Sequence, residues 1–82
     1  MALLPLSGTF IGDITTVGIV VDDEDTAEIV GQKIARHSVG RRVAASSAAI
    51  RVRLGGRVLG QDEIIGEAGA SPYDHVEAFF DE

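Results

Sequence analysis

The stretch "DTAEIVGQKIARHSVG" (Asp25–Gly40) decides the fold, because it carries the clearest helical pattern in the chain. Its apolar stripe, at intervals of three, four and three residues, consists of Ala27, Val30, Ile34 and His37. We expect this stripe to face a core. Asp25 is predicted to cap the helix, with Glu28 three residues later as in a capping box. Gly40 is predicted to end the helix in a left-handed conformation.

The placement of charges and of one glycine also fits a helix here. Acidic residues crowd the first turn, whereas Lys33, Arg36 and His37 lie in the last turn, as the helix dipole favours. Gly31, inside the helix, costs about 1 kcal/mol relative to alanine. We therefore expect Gly31 to let a strand approach the helix closely.

Two strands are predicted before the helix. Apolar residues alternate along Leu4–Phe10, which is the period of a strand with one buried face. Thr15–Val21 is rich in β-branched residues, and its apolar residues at odd positions share one face. Gly12–Asp13 between them is a turn signal. These two strands are therefore expected to form a hairpin.

A second hairpin is predicted after the helix. Residues 41–49 lack a period and are expected to form a loop. Ile50–Leu54 alternates strictly, with its two arginines on the outward face. Gly55–Gly56 is predicted to be a two-residue turn, so Arg57–Leu59 becomes a short fourth strand.

The last two predicted elements complete the order of the chain. Asp62–Gly69 is expected to be a single capped helical turn, and His75–Phe80 a strand with alternating apolar residues. A β-grasp (ubiquitin-like) fold of the α+β class has the same order of elements: strand, strand, helix, strand, short strand, helical turn, strand. A mixed sheet is expected to wrap around one main helix, with the first and last strands parallel at its centre. At 82 residues, the chain is expected to be a single domain, 1–82.

Composition narrows the classes of function. A net charge of −6 opposes phosphate backbones, so a general nucleic-acid binder is not expected. The absence of cysteine removes disulfides and thiol chemistry and is consistent with a cytoplasmic location. Pro5 and Gly8 interrupt the apolar N-terminus, so no signal peptide is expected. No apolar run approaches the roughly 18 residues of a membrane span.

No pattern of catalytic, metal-binding or cofactor-binding residues stands out. His37 and His75 have no recognisable metal spacing, and helix packing and a strand end account for them. The acidic run Asp22–Asp25 lacks the spacing of a calcium loop and suits helix capping. "LGGRVLG" lacks the Gly-Lys-Ser/Thr of a phosphate loop, and Ser46 and Ser47 have no His/Asp pattern nearby. We therefore expect no catalytic, metal or cofactor residue in this chain.

The basic residues are segregated in the sequence. All seven lysine and arginine side chains lie between positions 33 and 57, a window without Asp or Glu. Arg51 and Arg53 are expected on the sheet face that the helix leaves open, with Phe79 beside them. Arginine suits bidentate pairing with carboxylates, and an aromatic beside arginines is typical of an interface core. These features favour an interaction surface, and an ordinary solvated face is the alternative.

A ubiquitin-like fold also raises the class of protein modifiers and sulfur carriers. Those proteins need a flexible C-terminal Gly-Gly whose carboxylate is activated. This chain ends "FFDE", and its Gly55–Gly56 pair is internal. We therefore expect neither conjugation nor sulfur carriage.

Four stretches carry a resemblance to a known family: "VGQKIARHSVGRRVA" (Val30–Ala44), "IRVR" (Ile50–Arg53), "EAG" (Glu67–Gly69) and "FFDE" (Phe79–Glu82). Together they resemble the small subunit of bacterial multicomponent toluene monooxygenases, known as system protein B or the hydroxylase gamma subunit. The resemblance covers about the whole chain. Its most specific part is the spacing of one set, Lys33, His37, Arg41, Arg42, Arg51 and Arg53. Gly18 in the second strand and Arg36 in the helix depart from the family pattern.

The resemblance implies a non-catalytic gamma subunit in the hydroxylase of a diiron toluene or aromatic monooxygenase, an oxidoreductase of aromatic hydrocarbon catabolism. It implies no cofactor in this chain, because the diiron centre belongs to the alpha chain. The implied partners are the alpha and beta subunits, with no nucleic acid, membrane or directly bound small-molecule substrate. Together with the charge pattern, it indicates these partner-binding residues: Arg36, Arg41, Arg42, Arg51, Arg53 and Phe79. The alternative is a stand-alone ubiquitin-like interaction module in another pathway.

Overall fold

The computed structural model describes residues 2–40 and 43–81, which form five strands and one helix. In chain order these are β1 (Leu3–Phe10), β2 (Thr16–Asp22), α1 (Ala27–Ser38), β3 (Ile50–Leu54), β4 (Arg57–Val58) and β5 (His75–Phe80). The strands make one sheet in the order β2-β1-β5-β3-β4. β1 and β5 are parallel, and the other neighbouring pairs are antiparallel. The predicted β-grasp fold is confirmed, including its parallel first and last strands.

The core lies between α1 and one face of the sheet. Its largest fully buried apolar side chains are Phe10, Ile34, Leu59, Ile65, Val21, Val30, Val52 and Val76. Phe10 and Phe80 meet edge to face, with ring centroids 5.0 Å apart and planes at 63°, an arrangement that stabilises beyond burial alone. Because α1 covers this face, the side chains that alternate with the core residues lie on the opposite, open face. No helix in the described ranges is long and apolar enough to cross a membrane.

The helix begins one residue later than the sequence predicts. Thr26 is the N-cap, and its hydroxyl oxygen accepts a hydrogen bond from the Ile29 N–H at 3.4 Å. The carboxylate of Asp25 is engaged elsewhere, because its Oδ2 accepts from the Asp22 N–H at 3.0 Å and from Lys33 Nζ at 3.4 Å. The prediction that Asp25 caps the helix is therefore wrong.

The buried stripe of α1 also ends differently. His37 is exposed, whereas Ser38 is buried and its Oγ donates to Asp13 Oδ2 at 2.5 Å. Ser38 follows Ile34 by four residues and so lies on the same side of the helix. A hydroxyl is tolerated in that position because it is hydrogen-bonded. Gly40 has a φ of +79° just beyond the helix, as predicted.

Gly31 marks a close approach of α1 to the sheet, as predicted. A Cβ atom built on Gly31 would lie 2.8 Å from Ile50 Cγ2 and 3.1 Å from Val52 Cγ2. Both side chains belong to β3, so a larger residue at this position would force the helix and the strand apart. The helix-propensity cost of a glycine is thus offset by tight packing.

The two hairpins form where they are predicted, with small shifts in their bounds. Gly12 has a φ of +101° in the first turn, and Gly55 and Gly56 have φ of +60° and +82° in the second, the conformation that this hairpin turn requires. β2 starts at Thr16 because the preceding Thr15 N–H donates to Asp13 Oδ1 at 3.1 Å. β4 ends at Val58, one residue short of the prediction.

The predicted helical turn at Asp62–Gly69 forms only in its second half. The Ala68 N–H donates to Ile64 O at 2.9 Å, the bond of a single helical turn, and Gly69 ends that turn with a φ of +98°. The Ile65 N–H donates to Asp25 O at 2.8 Å, and the Gly66 N–H donates to Asp23 O at 2.9 Å. The segment therefore bonds to the turn before α1 as well as within itself. In return it buries Ile65 completely in the core.

Candidate protein-interaction site

The open face of the sheet brings three of the predicted partner-binding residues together. Arg51 is paired with Phe79 across β3 and β5, and Arg53 is paired with Glu77. The Arg53 guanidinium carbon lies 5.7 Å from the centroid of the Phe79 ring, within cation–π range. We call these four residues the arginine half of the open face. Its geometry agrees with the alternation predicted for both strands.

The arginines of this half are already paired with carboxylates of the same chain. Arg53 Nε donates to Glu77 Oε1 at 3.0 Å. Arg51 donates from Nη1 to Asp81 Oδ2 at 3.2 Å and from Nη2 to Leu59 O at 3.0 Å. The Arg51 Nε is buried without a hydrogen-bond partner among the described residues. The arginine half is therefore a largely neutralised surface rather than a free positive patch.

The same pairing extends to other members of the basic window. Lys33 pairs with Asp25 at 3.4 Å, and Arg57 pairs with Glu63 at 2.6 Å. These carboxylates lie outside the basic window in the sequence and reach it only through folding. The positive charges that are segregated in the sequence are thus largely neutralised by carboxylates in the folded chain.

The remaining predicted residues do not join the arginine half. Arg36 is exposed on α1, which packs on the opposite face of the sheet from Arg51 and Arg53. Among the residues that the structure describes, Arg36 is the basic side chain without an ion-pair or hydrogen-bond partner. Arg41 and Arg42 lie outside the described residues. One flat interface cannot contain both Arg36 and the arginine half.

An open groove adjoins the arginine half at the end of the sheet. It has a volume of about 550 Å³ and lies between the loop at residues 43–46 and the aromatic rings of Phe10, Phe79 and Phe80. Small side chains of the loop, Ala44 and Ala45, form one wall. The sequence did not indicate this groove, because the loop has no periodic pattern. Its lining is mixed, with Ile11 and the three phenylalanines beside Ser46.

The acidic run and the histidines have local structural roles. The carboxylates of Asp22, Asp23 and Glu24 lie within 4.8 Å of one another. Asp22 Oδ1 accepts from the Glu24 N–H at 2.9 Å, and Asp23 Oδ1 accepts from the Ala2 N–H at 3.0 Å. These bonds organise the turn before α1, although Thr26 and none of the acidic residues caps the helix. His75 Nδ1 is hydrogen-bonded to Ser7 Oγ at 3.0 Å across β5 and β1.

The Arg57–Glu63 pair predicts how stability changes in acid. Hydrogen bonds from Arg57 and from the Gly60 N–H hold the pKa of Glu63 below its usual value. A depressed folded-state pKa stabilises the protein above the unfolded-state pKa, and this contribution is lost as pH falls through the folded-state pKa. We therefore expect urea unfolding from pH 6 to pH 3 to show a shallower loss of stability for Glu63→Gln than for wild type. Asp62→Asn, one residue away and exposed, is the control; equal slopes in all three proteins would contradict the prediction.

Comparison with known proteins identifies the family. The model of the family described as toluene-4-monooxygenase system protein B (TmoB) matches residues 3–80. The chain belongs to the TmoB family. It is 32% identical over 84 residues to the gamma subunit of the toluene-4-monooxygenase hydroxylase of Ectopseudomonas mendocina, with 100% of both chains covered. The family resemblance read from the sequence is confirmed.

Two further comparisons place this TmoB-family protein. It is 42% identical over 43 residues to the gamma subunit of the alkene monooxygenase oxygenase of Xanthobacter autotrophicus, which covers 52% of this chain and 49% of that one. In solved structures, a chain of the toluene 4-monooxygenase HD complex with 4-bromobenzoate superposes with a TM-score of 0.91 at 30% identity, covering 98% and 100% of the two chains. This TmoB-family chain is therefore a gamma subunit of the monooxygenase hydroxylase type.

Ubiquitin-like proteins share the fold of this TmoB-family chain at lower identity. Ubiquitin of Caldiarchaeum subterraneum superposes with a TM-score of 0.73 at 14% identity, covering 99% of this chain and 96% of the other. Such a likeness concerns the fold alone. The likeness therefore does not support the alternative function, a stand-alone ubiquitin-like interaction module.

Proposed function

We propose that this gamma subunit docks on the large alpha chain of an aromatic monooxygenase hydroxylase, beside the beta chain, and contributes no catalytic residue. The observation that carries the proposal is the likeness to a chain of the toluene 4-monooxygenase complex over nearly the whole length, with a TM-score of 0.91. Oxygen chemistry then resides in the alpha chain, and the gamma chain supplies contacts. Its place is in the cytoplasm with the other hydroxylase chains.

The residues of this chain do not fit a diiron centre of their own. Diiron bundles of this kind use inward-facing glutamates and Glu-x-x-His pairs on helices. The close carboxylate group within the described ranges, Asp22, Asp23 and Glu24, contains no histidine and belongs to a turn. The proposal therefore assigns the diiron centre to the partner alpha chain.

The arginine half is proposed as part of the docking surface, with Phe79 as its aromatic anchor. Phe79 is half-buried and is held against Arg53 in the isolated chain, so little side-chain freedom is lost on binding. In the proposed surface, Arg51 and Arg53 lie beside Phe79, each with its paired carboxylate. Arg36, which has no such partner among the described residues, is proposed to meet carboxylates of the complex elsewhere. The same is proposed for Arg41 and Arg42.

The wild-type complex tests the proposed function directly. The gamma chain, co-expressed with the alpha and beta chains encoded beside it, is expected to co-purify with them as a stable complex. Size-exclusion chromatography with mass determination measures this. A gamma chain that elutes alone, folded and separate from an intact alpha–beta assembly, would disprove the proposal.

Phe79→Ala is expected to weaken assembly by about 2 kcal/mol or more, roughly 30-fold in Kd, as for an aromatic interface anchor. The measurement is titration of the purified alpha–beta assembly with the gamma variant. Tyr73→Ala is the matched control, because Tyr73 is an aromatic residue that is 82% exposed and lies outside the sheet. If the two variants bind equally well, Phe79 is not an anchor.

A further inference from the structure

Gly18 is a glycine that the chain itself does not require. In the described ranges, every glycine other than Gly18 and Gly60 either has a positive φ or has no room for a Cβ atom. A Cβ atom on Gly18 would meet no other atom within 4 Å, and its φ lies outside the left-handed region. Yet Gly18 sits in the middle of β2, where glycine weakens a strand and often marks the close approach of another backbone.

β2 is also an edge strand with free backbone groups. It lies at one end of the sheet, and its pairing with β1 uses the backbone groups of alternate residues. The Asp22 N–H donates outward to Asp25 Oδ2, and Val20 O accepts outward from Lys33 Nζ. The backbone N–H and C=O groups of the even-numbered residues of β2 therefore point away from β1. Within the described residues, the N–H and C=O of Thr16 and Gly18 and the N–H of Val20 are left for an outside partner.

The two edges of the sheet differ in how they are protected. β4 at the far edge is only two residues long, and its Arg57 is ion-paired with Glu63. A short edge strand and charged side chains on it are both common means of blocking edge-to-edge pairing. β2 is seven residues long, and only its end near Asp22 is blocked, by Lys33 and Asp25. An open edge of this length is a template for an added strand.

The residues of β1 and β2 nearest Gly18 on the open face have no ionisable side chain. Gly18 is paired with Ser7, and the next pair along is Pro5 with Val20. Val20 is 54% exposed and Leu3, farther along, is 79% exposed. Depletion of charge around exposed apolar groups is the pattern of an interface centre. Of the charged strand residues on the open face, Arg51, Arg53 and Glu77 belong to the arginine half, and Asp22 lies at the end of β2 opposite Leu3.

We propose that an extended, uncharged segment of a hydroxylase chain adds to β2 between Thr16 and Val20, with its closest approach at Gly18. The proposal rests on the proposed function and names the part of the gamma chain that its partner covers. The free backbone groups at the edge of β2 supply main-chain hydrogen bonds to the added segment. Apolar contacts come from Leu3, Pro5 and Val20. The absence of a side chain at Gly18 leaves the space for the segment. The docking surface thus continues from the arginine half across β5 and β1 to the edge.

The first test separates stability from assembly with Gly18→Val. Valine fits the open space and favours a strand, so the isolated variant is expected to melt at a higher temperature than wild type. The same side chain obstructs the partner, so its Kd for the alpha–beta assembly is expected to rise at least tenfold. Gly60→Ala is the control, because Gly60 also has room for a Cβ atom but lies in a loop.

The outcomes of this test are distinguishable. If wild type assembles and Gly18→Val binds with an unchanged Kd, the β2 site is disproved while the proposed function stands. If wild type itself does not assemble, both are disproved together. A raised melting temperature with weakened assembly, alongside a Gly60→Ala variant that binds normally, supports the site.

Hydrogen exchange supplies a second measurement that needs no variant. The amides of Gly18 and Val20 are expected to exchange rapidly in the isolated chain and to slow at least tenfold in the complex. The amides of Val17 and Ile19 are internal controls, because they already face β1. Unchanged exchange at Gly18 in the complex would disprove strand addition. Slow exchange in the isolated chain, with the mass of a dimer, would assign the edge to a second copy of this chain instead.

Discussion

Phe10→Ala is expected to lower the free energy of unfolding by about 3–5 kcal/mol. Phe10 is 1% exposed, and its ring lies 5.0 Å from the ring of Phe80. The substitution removes buried apolar surface, leaves a cavity beneath β1 and loses the edge-to-face contact. A chain of this size has only roughly 4–12 kcal/mol of total stability. The variant is therefore expected to be partly unfolded at physiological temperature.

Urea unfolding followed by far-UV circular dichroism measures the effect. Phe79→Ala is the matched control, since it removes an identical ring from the open face of the sheet, where the ring is only half-buried. We expect the control to lose about 1 kcal/mol, in line with ordinary substitutions. Equal losses for the two variants would contradict the core described here, because it places the two phenylalanines on opposite faces.

The strands and hairpins were predictable from the sequence because their signals are local. Alternation along Ile50–Leu54 and His75–Phe80 gave both strands with their correct bounds. Gly55–Gly56 indicated the second turn because a two-residue hairpin needs positive φ at both positions. Few small folds share the resulting order of elements, so correct local features led to the correct topology.

The errors arose where long-range contacts override local preference. Asp25 is a good cap by type, but Lys33 and the Asp22 amide engage its carboxylate, and Thr26 caps instead. The helical pattern from Asp62 to Gly69 gives only one turn, closed by the Ala68 N–H and Ile64 O, while the amides of Ile65 and Gly66 bond to the turn before α1. Single-sequence patterns do not contain the position of that turn. Tertiary hydrogen bonds therefore decided both cases.

The candidate site was predictable in its residues but not in its charge. Alternation placed Arg51, Arg53 and Phe79 on one face, as the structure has them. The carboxylates that pair with the arginines, Glu77 and Asp81, are more than twenty residues away in sequence. Their pairing depends on the register between β3 and β5, which alternation along each strand does not give. The free edge of β2 was likewise missed, because edge position is a property of the sheet.

The four ion pairs formed by Lys33, Arg51, Arg53 and Arg57 are only partly buried, which limits their contribution to folding stability. Their side chains keep between about a fifth and a half of their surface exposed. Surface pairs of this kind contribute little to folding, because water and salt screen them. They therefore add little to stability and mainly fix side-chain positions. We therefore propose that a partner recognises the shape and the paired polar groups of the arginine half rather than a net positive charge.

Gly31→Val is expected to cost about 1–3 kcal/mol or more, because it overpacks the contact between α1 and β3. A Cβ atom alone would lie 2.8 Å from Ile50 Cγ2 and 3.1 Å from Val52 Cγ2. Val52 is fully buried and cannot move without disturbing its neighbours. Gln32→Val is the matched control: it places the same β-branched residue one position along on the exposed side of α1. Thermal unfolding of both variants separates overpacking from helix propensity.

A double variant identifies the clash itself. Ile50→Ala removes the Cγ2 atom that a side chain at position 31 would strike. Gly31→Ala combined with Ile50→Ala is therefore expected to lose less stability than the sum of the two single losses, by about 0.5–3 kcal/mol, as for residues in direct contact. Gln32→Ala with Ile50→Ala, whose sites do not touch, is expected to be additive. If the first pair were also additive, the close approach of α1 to β3 at Gly31 would not be what excludes a side chain there.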